Sequence, residues 1–403
     1  MNRNAAMTTR AFLAALLAAP AALLAQPSGD LLVRADRLVI SPGNELTERA
    51  AILVRDGKVA FLGPEIPAPA AAAAREMRFE GTIAPGFVDP HAHLGIAKDL
   101  AEAIDAVTPD LSAADALDPF DDALGRAARY GVCTLALAPR SANAFAGRAA
   151  MVRAGVTGTL LMEDAYLKLA LVDESLDQNR FPTSRMGAVD LMRLSFARAR
   201  DAANDDRASQ AIRRTLDGGR LAFHTRRHAG ITSALDLCDE LGVQPLLIGA
   251  DEAARSTARL VRTRGSVVLA PLNLDSPLRH LRLPATLEAA GVPFSFMTEA
   301  PPRDATAATG RAEATNSTAH PEALRVSAAL AVRHGASRTT ALAAITRVPA
   351  EQCGAADRCG SLLQGRDASF VVVGGDPLDL GAPLLAVFVA GKRVDLEDRG
   401  DDR

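Results

Sequence analysis

Between residues 132 and 298 the sequence alternates short apolar runs with longer stretches of helical periodicity, and few folds accept that order. The apolar runs fall at 132–138, 159–161, 221–224, 244–248, 266–272 and 293–298. Helical patterns separate most of them, at 184–217, 229–241, 251–264 and 283–290. Strands buried on both faces read as unbroken apolar runs, and strand–helix repeats build a parallel sheet. A (β/α)8 barrel fits both the count and the length. A doubly wound open sheet is the runner-up, weakened because no Gly-x-Gly-x-x-Gly follows an early strand. Helical patterns near 321–334 and 338–347 lead out of the barrel, with Ser337 as a good N-cap for the second.

The two ends of the chain read differently. Residues 31–35, 51–55 and 59–62 are strand-like, and the last two flank Asp56-Gly57-Lys58, a hairpin turn. Residues 369–373 and 386–389 mirror them, with Ala390-Gly391-Lys392 as the second turn. Two β-rich ends distant in sequence can close one small sandwich. The expected division is 26–85 and 356–403 for the sandwich and 86–355 for the barrel. Residues 300–320, rich in Ala, Thr and Pro, read as a lid or an unstructured segment.

The chemistry concentrates at the predicted strand ends, where such a barrel carries its active site. His91 and His93 follow the apolar run that leads through Gly86-Phe87-Val88-Asp89-Pro90. Side chains two apart on a strand share a face, so the two imidazoles converge as a half-site for zinc or another divalent ion. His224 ends the run 221–224, and Glu299 ends the run 293–298. A carboxylate closing an apolar strand needs a metal, a cation or water beside it. Only four of the 45 lysines and arginines are lysines, so Lys168, in the apolar stretch Tyr166-Leu167-Lys168-Leu169, needs a reason. His228 sits near His224 at a helix start, where it either touches substrate or faces solvent. His280, His320 and His334 carry no motif and read as structural.

Pro-Gly-Phe-Val-Asp-Pro-His-Ala-His, over residues 85–93, resembles the first-strand motif of the amidohydrolase superfamily, especially its imidazolonepropionase-like branch. Further resemblance lies in Val107-Thr108-Pro109, Ser141-Ala142-Asn143, Ala343-Ala344-Ile345-Thr346 and the stretch 360–368, covering nearly the whole chain after residue 25. It implies a (β/α)8 barrel with a β-sandwich formed by both ends. It also implies hydrolysis of C–N bonds in amides, cyclic amides or related small molecules, with one or two Zn²⁺ or other divalent ions per chain. His91, His93 and His224 would be metal ligands. Lys168, carboxylated, would add another. Glu299 would be a ligand or the group that moves the water's proton. The sequence departs from the pattern twice. Strand six ends Leu247-Ile248-Gly249-Ala250 with no histidine, and strand eight supplies Glu299 where aspartate is usual. These departures open an alternative, a catalytically impaired barrel that serves as a binding or partner subunit.

Composition narrows the partners. A net charge of −3 favours neither nucleic acid nor a membrane surface, and with two Tyr and no Trp there are few rings on which bases stack. The partner expected is a small molecule, with a homo-oligomer left open. Residues 1–25 read as a signal peptide, with Arg3 and Arg10 ahead of an apolar run that ends at Ala25. Export to the periplasm follows, with no membrane attachment after its removal. An oxidising compartment suits a disulfide between Cys353 and Cys359, while Cys133 and Cys238 read as buried singles.

Overall fold

The computed structural model describes residues 29–67, 74–93, 100–102, 104–299 and 320–396. The expected signal peptide and nearly all of the expected lid lie outside the described residues.

Seven strands precede the barrel: β1 (Leu31–Ala35), β2 (Arg37–Ser41), β3 (Asn44–Leu46), β4 (Ala50–Arg55), β5 (Lys58–Gly63), β6 (Arg75–Arg78) and β7 (Thr82–Pro85). The barrel comprises β8 (Phe87–Ala92), β9 (Val132–Leu137), β10 (Phe145–Arg153), β11 (Thr159–Ala170), β12 (Leu221–His224), β13 (Pro245–Ile248), β14 (Ser266–Leu269) and β15 (Phe294–Phe296). Three strands follow it: β16 (Phe370–Val373), β17 (Leu384–Val389) and β18 (Lys392–Val394).

The chain's two ends do share a sheet, in the order β18-β17-β16-β7-β2-β3, which packs with a second sheet, β5-β4-β1-β6. Strands β7 and β16, nearly 300 residues apart in sequence, pair antiparallel with Val371 opposite Ala84. Between the sheets lie Val33, Ile52, Val372 and the stacked rings of Phe370 and Phe388, 4.6 Å apart. Both expected hairpins form. Asp56 and Gly57 have φ of 50° and 74°, and Ala390 and Gly391 have 47° and 76°, the left-handed pair that a two-residue hairpin loop demands. The two turns touch. A Cβ on Gly57 would lie 2.9 Å from the Ala390 carbonyl oxygen, so this glycine serves close approach as well as the turn.

The eight barrel strands run in chain order, β8 to β15. All neighbours are parallel except at β10, which is antiparallel to both β9 and β11. No helix lies between β9 and β11, where the sequence shows no helical pattern either. Strand β10 carries Gly147, Arg148 and Arg153 and does not read as an apolar run. Strand β11 is longer than the run at 159–161 suggests, because its first half is largely exposed and mixed in character. The last seam, β15 to β8, has no ladder of its own. Residues 344 and 345 bridge it: the Phe296 amide donates to Ala344 O, and the Val88 amide to Ile345 O at 2.9 Å. Val88, Met151, Tyr166, Ala222, Ile248 and Val268 fill the interior.

The single helix expected at 184–217 is two, Arg185–Arg200 and Arg207–Leu216. Asp206 caps the second by accepting from the Ser209 amide. Ser337 is the expected N-cap, accepting from the Thr340 amide. The four cysteines are free and buried, so the Cys353–Cys359 bridge is not formed. Each of the two thiols has its own acceptor. Cys353 lies 3.7 Å from Pro90 O and Cys359 lies 3.4 Å from Ala355 O.

Candidate active site

Strand β8 delivers the histidine pair. His91 is fully buried inside the barrel mouth, and His93 follows one residue past the strand end. Their rings stand edge to face with centroids 5.0 Å apart. Glu299, just beyond β15, reaches across the seam to both. Its Oε2 lies 2.7 Å from His91 Nδ1, and its Oε1 lies 3.2 Å from His93 Nδ1. These three side chains each place a ligand atom within 4.8 Å of the others.

Asp89 holds that geometry. One oxygen accepts the His91 amide at 3.0 Å. The other accepts the Thr298 amide at 3.2 Å and the Thr298 hydroxyl. One carboxylate thus fixes the start of the histidine pair to the residue before Glu299, where the sheet itself is unladdered.

His224 closes β12, its ring centroid 6.0 Å from that of His91. Its Nδ1 lies 2.6 Å from Ser141 Oγ, in the loop after β9. That loop is held in turn by Arg180, which donates to Asn143 Oδ1 at 2.7 Å and Ala142 O at 2.9 Å. Lys168 is wholly buried on β11, and its Nζ donates to Pro139 O at 2.6 Å. The same carbonyl lies 3.3 Å from His93 Nε2.

These contacts decide protonation. Burial, reinforced by Lys168, drops the His91 pKa to about 3. Burial likewise lowers His93 and takes His224 well below its ordinary value. All three rings are therefore neutral at pH 7. Burial brings Lys168 down to about 8, against the pull of Glu299.

The donor set fits a divalent cation. The Pro139 carbonyl assigns the His93 proton to Nε2, so an unprotonated Nδ1 faces an ionised carboxylate. Neither nitrogen of His91, nor Glu299 Oε2, has a partner in hydrogen-bond geometry despite the 2.7 Å approach. Buried lone pairs turned on one another repel unless a cation lies between them. Two imidazoles and a carboxylate are an ordinary zinc donor set. Ser141 and Pro139 act as the outer partners that fix ring orientation.

The structure therefore gathers His91, His93 and Glu299, with His224 and Lys168 alongside. His228 stands apart. Its amide donates to Glu252 Oε2, and its Nδ1 lies 3.4 Å from Ser256 Oγ. The histidine that reaches the adjacent cleft is His280, read from sequence as structural. Asp89 and Ser141 escaped notice as supports because their partners are distant in sequence. Gly249 accounts for the absent strand-six histidine. Its φ is +72°, and a Cβ there would lie 3.1 Å from His224 Nε2, so a side chain at this position is strained in its backbone and presses on His224.

The model of the amidohydrolase family matches residues 277–395, from the approach to β15 through β18. An adenine deaminase of Deinococcus radiodurans is 42% identical over 72 residues, which is 18% of this chain and 13% of that relative's length. The crystal structure of an amidohydrolase from Thermotoga maritima superposes with a TM-score of 0.78 at 25% identity, covering 91% of this chain and 99% of that one. Phenylurea hydrolase B shares the fold, with a TM-score of 0.55 at 16% identity over 91% of this chain and 97% of its own.

Proposed function

We propose that this chain, an amidohydrolase-superfamily barrel, is a metal-dependent hydrolase of C–N bonds in a small-molecule substrate. The observation that carries the reading is the convergence of His91 Nδ1, His93 Nδ1 and the Glu299 carboxylate at one buried point of the barrel mouth. His91, His93 and His224 would hold one divalent ion, zinc by the chemistry of the donors. Lys168 is placed to add a ligand if carboxylated. When bound, the ion supplies Lewis acidity, acidifying water and polarising a carbonyl or amidine.

The chain's own residues do the rest. The neutral imidazoles offer lone pairs without a proton to displace. Ser141 and Pro139 keep the His224 and His93 rings turned inward. Glu299 is 15% exposed where His91 is wholly enclosed, so it is the member of the cluster that faces entering molecules. Its ionised carboxylate can take a proton from water and return it to the leaving nitrogen. Glu299→Gln keeps the size and loses the basic oxygen. Its expected result is retained metal with turnover of a C–N substrate down about 100-fold or more, as for loss of a general base. Undiminished turnover in that variant would assign the proton transfer elsewhere.

One observation favours the second reading, a catalytically impaired binding subunit. Gly249 leaves the strand-six position without a ligand, and its backbone conformation resists restoring one. Metal binding in the wild type with no turnover of any C–N substrate would favour it.

A further inference from the structure

Beside His224 a cleft of about 340 Å³ opens at the carboxyl ends of β11, β12 and β13. Thr225 and Arg226, which directly follow His224, line it together with Asp251, Arg185 and Arg279. Gly249 lies between His224 and Arg226. A Cβ there would lie 3.1 Å from His224 Nε2 and 3.8 Å from Arg226 Cγ, so ring and arginine stem flank the same gap.

Its charges are unequally committed. Arg226 pairs with Glu174 at 2.9 Å, and Arg227 approaches Asp173 at 4.0 Å. Glu252 accepts the His228 amide at the start of the helix His228–Leu241. Arg185 and Arg279 pair with no carboxylate among the described residues. The remaining acid, Asp251, lies within the influence of Arg226 and Arg279, and burial pushes its pKa up to about 6. Counting Glu174, the four arginines meet four acids, so the uncommitted positive charge is local, at Arg185 and Arg279. A further polar group is unspent. The Thr225 hydroxyl is wholly buried, has no hydrogen-bond partner, and lies against Gly230 in the first turn of that helix. A helix start with a nearby unpaired hydroxyl and two free guanidinium groups favours an anion.

We propose that this cleft is the subsite for a carboxylate carried by the substrate, with Arg185 and Arg279 as its charge partners. Two guanidinium groups without a paired carboxylate suit one small anion, and the planar guanidinium fork matches a carboxylate. The link to turnover rests on the hydrolase reading above. Carboxylate binding itself does not, and can be measured without turnover.

The test uses zinc-loaded full-length protein and two probes of equal shape, N-acetylglycine and N-acetylglycinamide, in isothermal titration calorimetry. The acid should bind about tenfold or more tighter than the amide, the effect of one charge-assisted pair. Arg279→Gln and Arg185→Gln should each weaken the acid about tenfold and leave the amide and the zinc content unchanged. Equal affinities, including no measurable binding of either probe, would overturn the proposal. So would acid binding that survives the double substitution. If the acid binds with these dependences and nothing is hydrolysed, the subsite stands and the hydrolase reading falls. If both probes are hydrolysed with one KM that Arg279→Gln leaves unmoved, the subsite falls and the hydrolase reading stands.

Discussion

Replacing Asp89 with alanine tests whether one carboxylate holds the two halves of the site together. In the structure it accepts the His91 amide at 3.0 Å and the Thr298 amide at 3.2 Å, as well as the Thr298 hydroxyl. Asp89 is almost wholly buried, so at least the His91 amide would be left without water or a partner. An unsatisfied buried donor costs about 1–3 kcal/mol. The Thr298 hydroxyl can turn to solvent, so two amides set the scale, about 2–5 kcal/mol in all. Because these bonds also fix the seam between β15 and β8, zinc affinity should fall with stability, and by more than for a core truncation elsewhere. Urea denaturation of the metal-free protein gives the first quantity, and competition with a chromogenic chelator gives the second. Thr298→Val in a double-mutant cycle should show a coupling to Asp89 of about 1 kcal/mol or more. A loss under about 1 kcal/mol, or unchanged zinc affinity alongside a large loss of stability, would refute the clamp.

Three further outcomes follow from the same structure. Gly249→Ala should cost about 1–2 kcal/mol for a left-handed residue gaining a Cβ, and should lower zinc affinity by pressing on His224 Nε2; calorimetry and the chelator assay check it, and unchanged affinity would count against the contact. Burial raises the Asp251 pKa from 3.8 to about 6, so the folded state prefers the protonated acid, and its contribution to stability is lost as pH rises from about 4 through 6. Asp251→Asn should therefore stabilise the protein at pH 7.5 by about 1–2 kcal/mol, discounted for its partial exposure, and the gain should vanish near pH 4; denaturation at the two pH values reads the difference. Thiol titration in denaturant without reductant should find all four cysteines reactive, whereas two would mean that Cys353 and Cys359 are bridged after all.

The second half of the barrel was legible because its strands are buried on both faces. The runs ending at His224 and Ile248 are apolar up to their ends, the run ending at Phe296 is broken only by the buried Ser295, and β12 begins and ends where its sequence says. Strand β10 was hidden because it interleaves glycine and arginine and returns antiparallel, which no strand–helix rule anticipates. The histidine pair was legible because strand geometry alone brings residues two apart to one face. Glu299 was legible from its place after an apolar strand. Asp89, Ser141 and the backbone carbonyl of Pro139 were not, since their roles arise from contacts across the barrel mouth that no local pattern encodes. Gly249 read from sequence as a missing ligand. The structure adds that its left-handed backbone and its place against His224 disfavour one.

The central claim is that His91, His93 and Glu299, with His224 beside them, form a metal centre. Elemental analysis of the purified wild type and of His91→Ala, each incubated with zinc and then desalted, tests it most directly. The account predicts about one or two ions per wild-type chain, with a raised melting temperature, and both lost in the variant. Wild-type protein that stays free of metal with an unchanged melting temperature, or a variant that keeps full occupancy, would contradict it.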